Sequence, residues 1–300
     1  MMCDDIITIL NEAIFSKDKY ELLRRIVDNP ERFTGLLRPT KPYGKVIQFL
    51  LQSHEIKFGG ALQKVIGHAI EQLGYNVEME KEYELNNEPL VIDMIISRDR
   101  TIIVEMKIRD DHDSTKKRGQ ISNFEKKIEA FIRHSPETKV ESVLYFVDPT
   151  IRKNEAFYRR AFVNISNFYN IDVHLLYGEE LFKFLGHTDV WHSIVECLKL
   201  WKKTIPDLPN VDYDSDINDS VNILRGLSLA DWRKLIENDE LWEEDGIISR
   251  LFKNGDSLRV TCQMFENHGQ GRLSEQYKKI AKGLKMRLEK LYGKVKNESN

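Results

Sequence analysis

Hydrophobic residues recur at helical spacing in the first part of the chain. Apolar positions from residue 6 to residue 26 follow a three-and-four spacing, which indicates amphipathic helices. Pro39 and Pro42 interrupt that pattern. Gly59-Gly60 then opens a second periodic segment, which Gly74 ends. The pattern predicts a helix between these glycines, preceded by shorter helices.

Apolar runs typical of strands follow. Residues 90–96 and 101–108 are rich in β-branched side chains and flank a polar tetrapeptide, so they predict a β-hairpin. A polar loop is expected over 109–119, followed by a helix for which Ser122 and Glu125 fit a capping box. Residues 140–147 and 171–177 predict two further strands. This order of elements predicts an α/β fold in which a mixed central sheet is flanked by helices.

The chain length leaves room for more than one folding unit. At 300 residues the sequence is about twice the size of a typical domain. Pro206 and an acidic stretch after it mark a change of periodicity, and apolar residues from Ile280 to Leu291 return to helical spacing. We therefore expect a helical N-terminal region at 1–57, a core at 58–205 and a mostly helical C-terminal region at 206–300, for which DNA contact is a candidate role.

Composition excludes several classes of protein. Hydrophobic residues make up 41% and charged residues 31%, which is ordinary globular usage. The formal charge of −3 provides no bulk attraction to nucleic acid, so only the local distribution of charge can indicate a nucleic-acid-binding surface. No long apolar run and no basic leader is present, which predicts a soluble, cytoplasmic protein without a membrane partner. Cys3, Cys197 and Cys262 are too few for a disulfide scaffold and are expected to be reduced, buried thiols.

Three charged residues lie inside the two apolar runs of the hairpin. Asp93 lies in the first run, and Glu105 and Lys107 lie in the second. Residues two apart on a strand share a face, so Glu105 and Lys107 point the same way. If the hairpin turns about Asp99, Asp93 lies opposite Glu105, with Cβ atoms roughly 4.5–5.5 Å apart.

Two carboxylates at so short a distance from each other, surrounded by apolar residues, favour a cation between them. They repel one another and are costly to desolvate alone. Hard oxygen ligands suit Mg²⁺, which one or two carboxylates commonly hold. Lys107 would then orient the attacking water or neutralise developing charge. The alternative is a solvent-facing Glu105–Lys107 pair beside a turn-proximal Asp93.

The loop after this hairpin offers candidate contacts to DNA. Basic residues just ahead of a helix N-terminus can bind phosphate, and an aspartate can accept a hydrogen bond from cytosine. The alternative is a solvated loop whose charges pair with one another. The candidates are Asp111, His112, Asp113, Ser114, Lys116, Lys117, Arg118 and Gln120.

The motif Asp93, then Glu105-x-Lys107 after an amphipathic helix, resembles the PD-(D/E)XK nuclease superfamily and, within it, type II restriction endonucleases. The resemblance covers about residues 58–185 and implies an α-β-β-β-α-β core. It also implies Mg²⁺ bound by Asp93, Glu105 and the Met106 carbonyl, with Lys107 assisting the water. The family often carries a glutamate where this chain has Gln63, and its motif proline is replaced by Ile92. Gln63 is therefore expected to bind a metal water rather than the metal.

The resemblance implies Mg²⁺-dependent hydrolysis of double-stranded DNA at a specific site, leaving 5′-phosphate and 3′-hydroxyl ends. A homodimer would mirror a palindromic site, and a DNA methyltransferase would protect the same sequence. Two alternatives stay open. One is a repair or junction-resolving nuclease of the same superfamily, and the other is a DNA-binding protein without catalysis.

Overall fold

The computed structural model describes residues 3–35, 37, 39–109 and 113–293. The chain divides into two compact units. One unit, here called the sheet unit, comprises residues 1–14 and 56–205, and the other, the helical unit, comprises residues 15–55 and 206–300. The division predicted from the sequence, with limits at residues 57 and 205, stays a prediction about folding units.

The helices of the described residues, in chain order, are α1 (Cys3–Phe15), α2 (Asp18–Asp28), α3 (Glu31–Thr34), α4 (Pro42–Glu71), α5 (Ser114–His134), α6 (Glu155–Tyr169), α7 (Glu179–Phe184), α8 (Thr188–Lys202), α9 (Ile217–Arg225), α10 (Leu229–Glu237), α11 (Ile247–Leu251), α12 (Asp256–Glu266) and α13 (Arg272–Tyr292). The strands are β1 (Asn76–Leu85), β2 (Glu88–Ser97), β3 (Thr101–Lys107), β4 (Val140–Phe146) and β5 (Asp172–Tyr177).

A mixed sheet forms the centre of the sheet unit. Its strands in the described residues follow the order β1-β2-β3-β4-β5. The pairs β1–β2 and β2–β3 are antiparallel, and β3–β4 and β4–β5 are parallel. Helices α5 and α6 pack on the sheet, so the predicted α/β class with a mixed sheet flanked by helices is confirmed.

The position of each strand in the sheet explains how buried it is. β3 and β4 are almost wholly buried, because both have strands on either side and apolar residues on both faces. β1 lies at an edge, and most of its residues are partly or fully exposed. β1 was not predicted from the sequence, because glutamate and lysine are depleted in strands and hide its alternating pattern.

Helix α4 is longer than predicted. The helix begins at Pro42 and continues through Gly59-Gly60, which the sequence analysis took as its start. A proline is well tolerated in the first turn of a helix, so Pro42 begins the helix that it was expected to precede.

The helical unit has a core of its own. Side chains from α2, α9, α10, α12 and α13 bury one contiguous cluster in which Trp232 and Phe252 are fully enclosed. The predicted helical character of the regions before and after the sheet is confirmed. The apolar spacing from Ile280 to Leu288 lies on α13, where Ile280, Leu284 and Leu288 are buried.

The prediction about the cysteines is wrong for two of the three. Cys3 on α1 and Cys197 on α8 form a disulfide, with Cα atoms 5.4 Å apart. The pair could not be predicted from the sequence, because 194 positions separate the two residues and only the fold brings them together. Cys262 is a free, buried thiol as expected.

Within the described residues, the helices are all too short or too polar to traverse a lipid bilayer.

Candidate active site

The hairpin predicted from the sequence has the expected register. Met94 pairs with Val104 and Ser97 pairs with Thr101, so the strands turn about Asp99. Asp93 and Glu105 are the next residues along β2 and β3 beyond the Met94–Val104 pair. The Met106 backbone N–H donates to Asp93 Oδ2 at 2.8 Å, which holds the carboxylate against the end of β3. The hairpin therefore brings Asp93 and Glu105 together.

Glu105 and Lys107 lie on one face of β3. Lys107 Nζ donates to Glu105 Oε1 at 2.7 Å and lies 3.9 Å from Asp93 Oδ2. The Glu105 side chain is 2% exposed, whereas that of Lys107 is 34% exposed. A solvent-facing ion pair does not fit these exposures, because the glutamate is inside the protein and the amine lies at its surface.

A second lysine, Lys127 on α5, completes this cluster. Its Nζ donates to Glu105 Oε2 and lies 3.5 Å from Asp93 Oδ1. Sequence reasoning missed Lys127. The signal was present, because Lys127 lies three residues after Phe124 and one before Ile128, inside the apolar face of its helix. A lysine in that position has to find a buried partner.

Opposite charges balance in this cluster. The formal charges of Asp93, Glu105, Lys107 and Lys127 sum to zero. Burial, and then the neighbouring Glu105, raise the pKa of Asp93 above its usual range. Burial lowers the pKa of Lys107, but the attraction of Glu105 and Asp93 outweighs it and the pKa ends above the ordinary value. The Asp93 carboxylate therefore depends on nearby positive charge to stay ionised.

The donor set suits a hard divalent cation. Asp93 and Glu105 offer carboxylate oxygens, and Mg²⁺ is commonly bound by one or two carboxylates, with water and phosphate oxygens completing its shell. No group of three or more His, Cys, Asp or Glu side chains that could hold a metal occurs among the described residues. Asp93 and Glu105 are thus the two carboxylates that this cluster could offer to a metal ion.

Gln63 belongs to the helix on the other side of the sheet. It is half-buried on α4, one turn before Gly67, where a Cβ would lie 2.8 Å from the Met79 sulfur of β1. Met79 pairs with Met94 and shares its face of the sheet, whereas Met94 and the preceding Asp93 point to opposite faces. α4 therefore approaches the face of the sheet opposite to that of Asp93. The role of Gln63 toward a metal water stays a prediction.

The predicted polar loop is shorter than expected. Asp113 caps α5 by accepting from the backbone N–H groups of Thr115 and Lys116, so the helix begins at Ser114. The predicted helix start after residue 119, with its capping box at Ser122 and Glu125, is wrong, because Asp113 supplies the cap and Lys116, Lys117 and Arg118 are good helix formers. The backbone hydrogen bond from Lys116 lowers the pKa of Asp113 despite slight desolvation.

The candidate DNA contacts therefore belong mainly to the first two turns of α5. Lys116 and Arg118 are exposed, and Lys117 Nζ lies 4.8 Å from the centre of the Phe157 ring. Gln120 Oε1 accepts from Tyr158, while its Nε2 is buried without a partner in the described residues. Asp111 and His112 lie outside the described residues, as does the side chain of Ser114.

The comparisons with known proteins agree with this chemistry. A family model described as type II restriction endonuclease, HinfI, matches residues 2–88 and 68–202 in two overlapping segments. These segments include the hairpin with Asp93, Glu105 and Lys107, and α5 with Lys127. A comparison with curated proteins found none that matches the chain.

Proposed function

The chain belongs to the HinfI family of type II restriction endonucleases, and on that basis we propose that it cleaves double-stranded DNA in a Mg²⁺-dependent reaction at the Asp93–Glu105–Lys107 site. DNA is the substrate of a type II restriction endonuclease. The finer proposal is hydrolysis of one phosphodiester bond in each strand at a defined sequence, with 5′-phosphate and 3′-hydroxyl ends. The observation that carries it is the meeting of the buried Glu105 carboxylate and the half-buried Asp93 carboxylate with the Lys107 amine, at neighbouring positions of β2 and β3.

Asp93 and Glu105 would hold the metal ion. Their oxygens converge at one place, and the Met106 N–H keeps the Asp93 carboxylate in its orientation. The Met106 carbonyl is the proposed third protein ligand, and Gln63 is proposed to bind a metal water. When bound, Mg²⁺ polarises the scissile phosphate and lowers the pKa of bound water.

Lys107 is the proposed partner of the attacking water. Its amine is already within 3.9 Å of both carboxylates, and its side chain is exposed enough to reach bound DNA. An ammonium there orients the water by hydrogen bonding and offsets the negative charge that develops on the phosphate. The neighbouring carboxylates keep this amine protonated, since they raise its pKa.

The first turns of α5 are the proposed DNA-contacting surface. Lys116, Lys117 and Arg118 lie at the N-terminal end of the helix, where basic side chains and the helix dipole both favour phosphate. Asp113 has a structural role as the cap, so a base contact from it would have to use the oxygen that accepts no backbone hydrogen bond. Ser114 and Gln120, with Asp111 and His112 before the helix, complete the proposed set.

We further propose a homodimer and a companion DNA methyltransferase. Twofold symmetry would let one copy act on each strand of a palindromic site. The methyltransferase would protect the same sequence in the host genome. Both proposals depend on membership of the restriction endonuclease family rather than on a contact in the structure.

A plasmid digest tests the proposed function. We expect the wild-type protein with MgCl₂ to give discrete fragments whose sequenced ends share one short sequence, and EDTA to abolish cleavage. Asp93→Asn is expected to lose cleavage by at least about a thousandfold, because it removes one metal-binding charge. Glu141→Gln is the matched control, since Glu141 lies in the same sheet with the same 15% side-chain exposure but pairs with Arg100 and His174.

Each alternative predicts a different outcome of this digest. Cleavage at branched or damaged DNA, without a common sequence at the ends, would indicate a structure-specific nuclease. DNA binding by both wild type and Asp93→Asn, with cleavage by neither, would indicate a DNA-binding protein without catalysis. Cleavage that continues in EDTA would contradict the metal mechanism.

A further inference from the structure

Lys107 and Lys127 divide the four carboxylate oxygens between them. Lys107 contacts Glu105 Oε1 and approaches Asp93 Oδ2, whereas Lys127 contacts Glu105 Oε2 and approaches Asp93 Oδ1. Each carboxylate oxygen of Asp93 and Glu105 therefore already faces an ammonium group. A divalent cation that enters this site has to replace or outcompete positive charge that is present in the free protein.

The two lysines differ in how easily their ammonium groups can move away from the carboxylates. The Lys107 side chain is 34% exposed and that of Lys127 is 10% exposed. Lys127 is also flanked on its helix by Phe124, Ile128 and Phe131, each of which is buried. Withdrawing the Lys127 ammonium from the carboxylates would place it among these apolar side chains, which is costly. Lys107 can turn toward solvent or DNA, but Lys127 stays beside the carboxylates.

We propose that Lys127 is a built-in counter-ion that keeps the divalent-cation affinity of the free protein low and so makes metal binding depend on bound DNA. This inference rests on the proposed function. In the free protein, the two lysines already neutralise Asp93 and Glu105, and a cation gains little by entering. A bound phosphodiester group adds negative charge to the site, so that the site with DNA has a net attraction for the metal ion. Lys127 acts through the two carboxylates as a positioning residue and does not touch the substrate.

Mutation of the buried Lys127 is expected to strengthen metal binding rather than weaken it. Lys127→Met removes the charge and keeps an unbranched side chain of similar length. The carboxylates then carry one uncompensated negative charge, so the free protein is expected to bind Mn²⁺ at least about tenfold more tightly than wild type. A lysine with only a structural role predicts unchanged or weaker binding, because a loosened site holds a metal ion less well.

The experiment is a titration of the free, full-length protein with MnCl₂ alone. Unbound Mn²⁺ is measured by electron paramagnetic resonance, without DNA. Lys127→Met and Lys127→Gln are expected to bind Mn²⁺ more tightly than wild type, and Lys127→Arg is expected to bind it as weakly as wild type. Lys126→Met is the matched control, because the adjacent Lys126 makes an exposed pair with Glu88 and should leave the affinity unchanged.

Circular dichroism identifies the variants that fold, and the two uncharged variants give independent chances of a folded protein. Equal Mn²⁺ affinity of wild type, Lys127→Arg and a folded, uncharged variant would overturn the inference, as would weaker binding by that variant. Failure of the proposed function gives a different result. In that case, wild type with Mg²⁺ and DNA does not cleave, whatever the Mn²⁺ affinities of the free proteins are.

Discussion

Replacing Glu105 by glutamine tests whether the buried charge cluster exists in the metal-free protein. Glu105→Gln keeps the size of the side chain but removes one negative charge. It also presents an amide NH₂ group, in place of one acceptor oxygen, to the Lys107 or Lys127 ammonium. Glu105 is 2% exposed and accepts hydrogen bonds from both lysines, so the change affects two contacts at once.

The magnitude follows from burial. Removing one partner of a buried ion pair typically costs about 3–5 kcal/mol in the free energy of unfolding. Two features of the site reduce this figure. Lys107 is 34% exposed and can turn to solvent, and Lys127 keeps Asp93 at 3.5 Å. We therefore expect a loss of about 2–3 kcal/mol, at or just below the lower limit of that range.

Urea unfolding in EDTA, followed by far-ultraviolet circular dichroism, measures this loss. A loss of this size lowers the urea midpoint by about 1 M. Glu88→Gln is the control, because Glu88 pairs with Lys126 at the protein surface, and we expect a change within about 0.5 kcal/mol. If Glu105→Gln changes stability no more than Glu88→Gln does, the carboxylate is solvated and the reasoning about a buried cluster is refuted.

Three further predictions concern other parts of the chain. Burial raises the pKa of Asp231, but hydrogen bonds from Ser228 and the charge of Arg24 outweigh it and lower the pKa below its ordinary 3.8. Asp231 thus stabilises the fold above pH 3.8 and loses this effect as pH falls through its lowered pKa, so Asp231→Asn should cost about 1–3 kcal/mol at pH 7 and much less near pH 2 in chemical unfolding. An equal cost at both pH values would contradict this sign. Lys116→Gln should reduce the slope of log affinity for DNA against log salt concentration by about one, and equal slopes for wild type and variant would exclude a phosphate contact from Lys116. Gly178→Ala should lower stability by about 1–3 kcal/mol in thermal unfolding, because Gly178 has φ +50° and a Cβ would lie 2.8 Å from Pro149; an unchanged melting temperature would show that the loop adapts.

The hairpin could be predicted because its information is local. Two apolar runs, a polar turn and an alternating pattern determine which side chains face each other, so the Asp93–Glu105 juxtaposition follows from the sequence. The start of α5 is also a local feature, but two capping signals compete there. Asp113 and Ser122 both satisfy the residue preference, and only the structure shows that Asp113 accepts the capping hydrogen bonds.

Lys127 was harder to predict because its role depends on packing. The sequence shows a lysine inside the apolar face of a helix, but not which buried carboxylates that face will cover. The same limit applies to the core shared by residues 15–55 and 206–300, and to the Cys3–Cys197 bond. Helical periodicity shows that a helix has an apolar face and does not identify its partner.

The most direct test of the account is the position of a metal ion in crystals grown with Mn²⁺ and a duplex that carries the cleavage site. Anomalous scattering locates Mn²⁺ without reference to the protein coordinates. The account predicts a peak between Asp93 and Glu105, about 2.1 Å from one oxygen of each carboxylate, with Lys127 still in contact with the remaining oxygens. An anomalous peak away from both carboxylates, or a cleaved duplex with no metal between them, would contradict it.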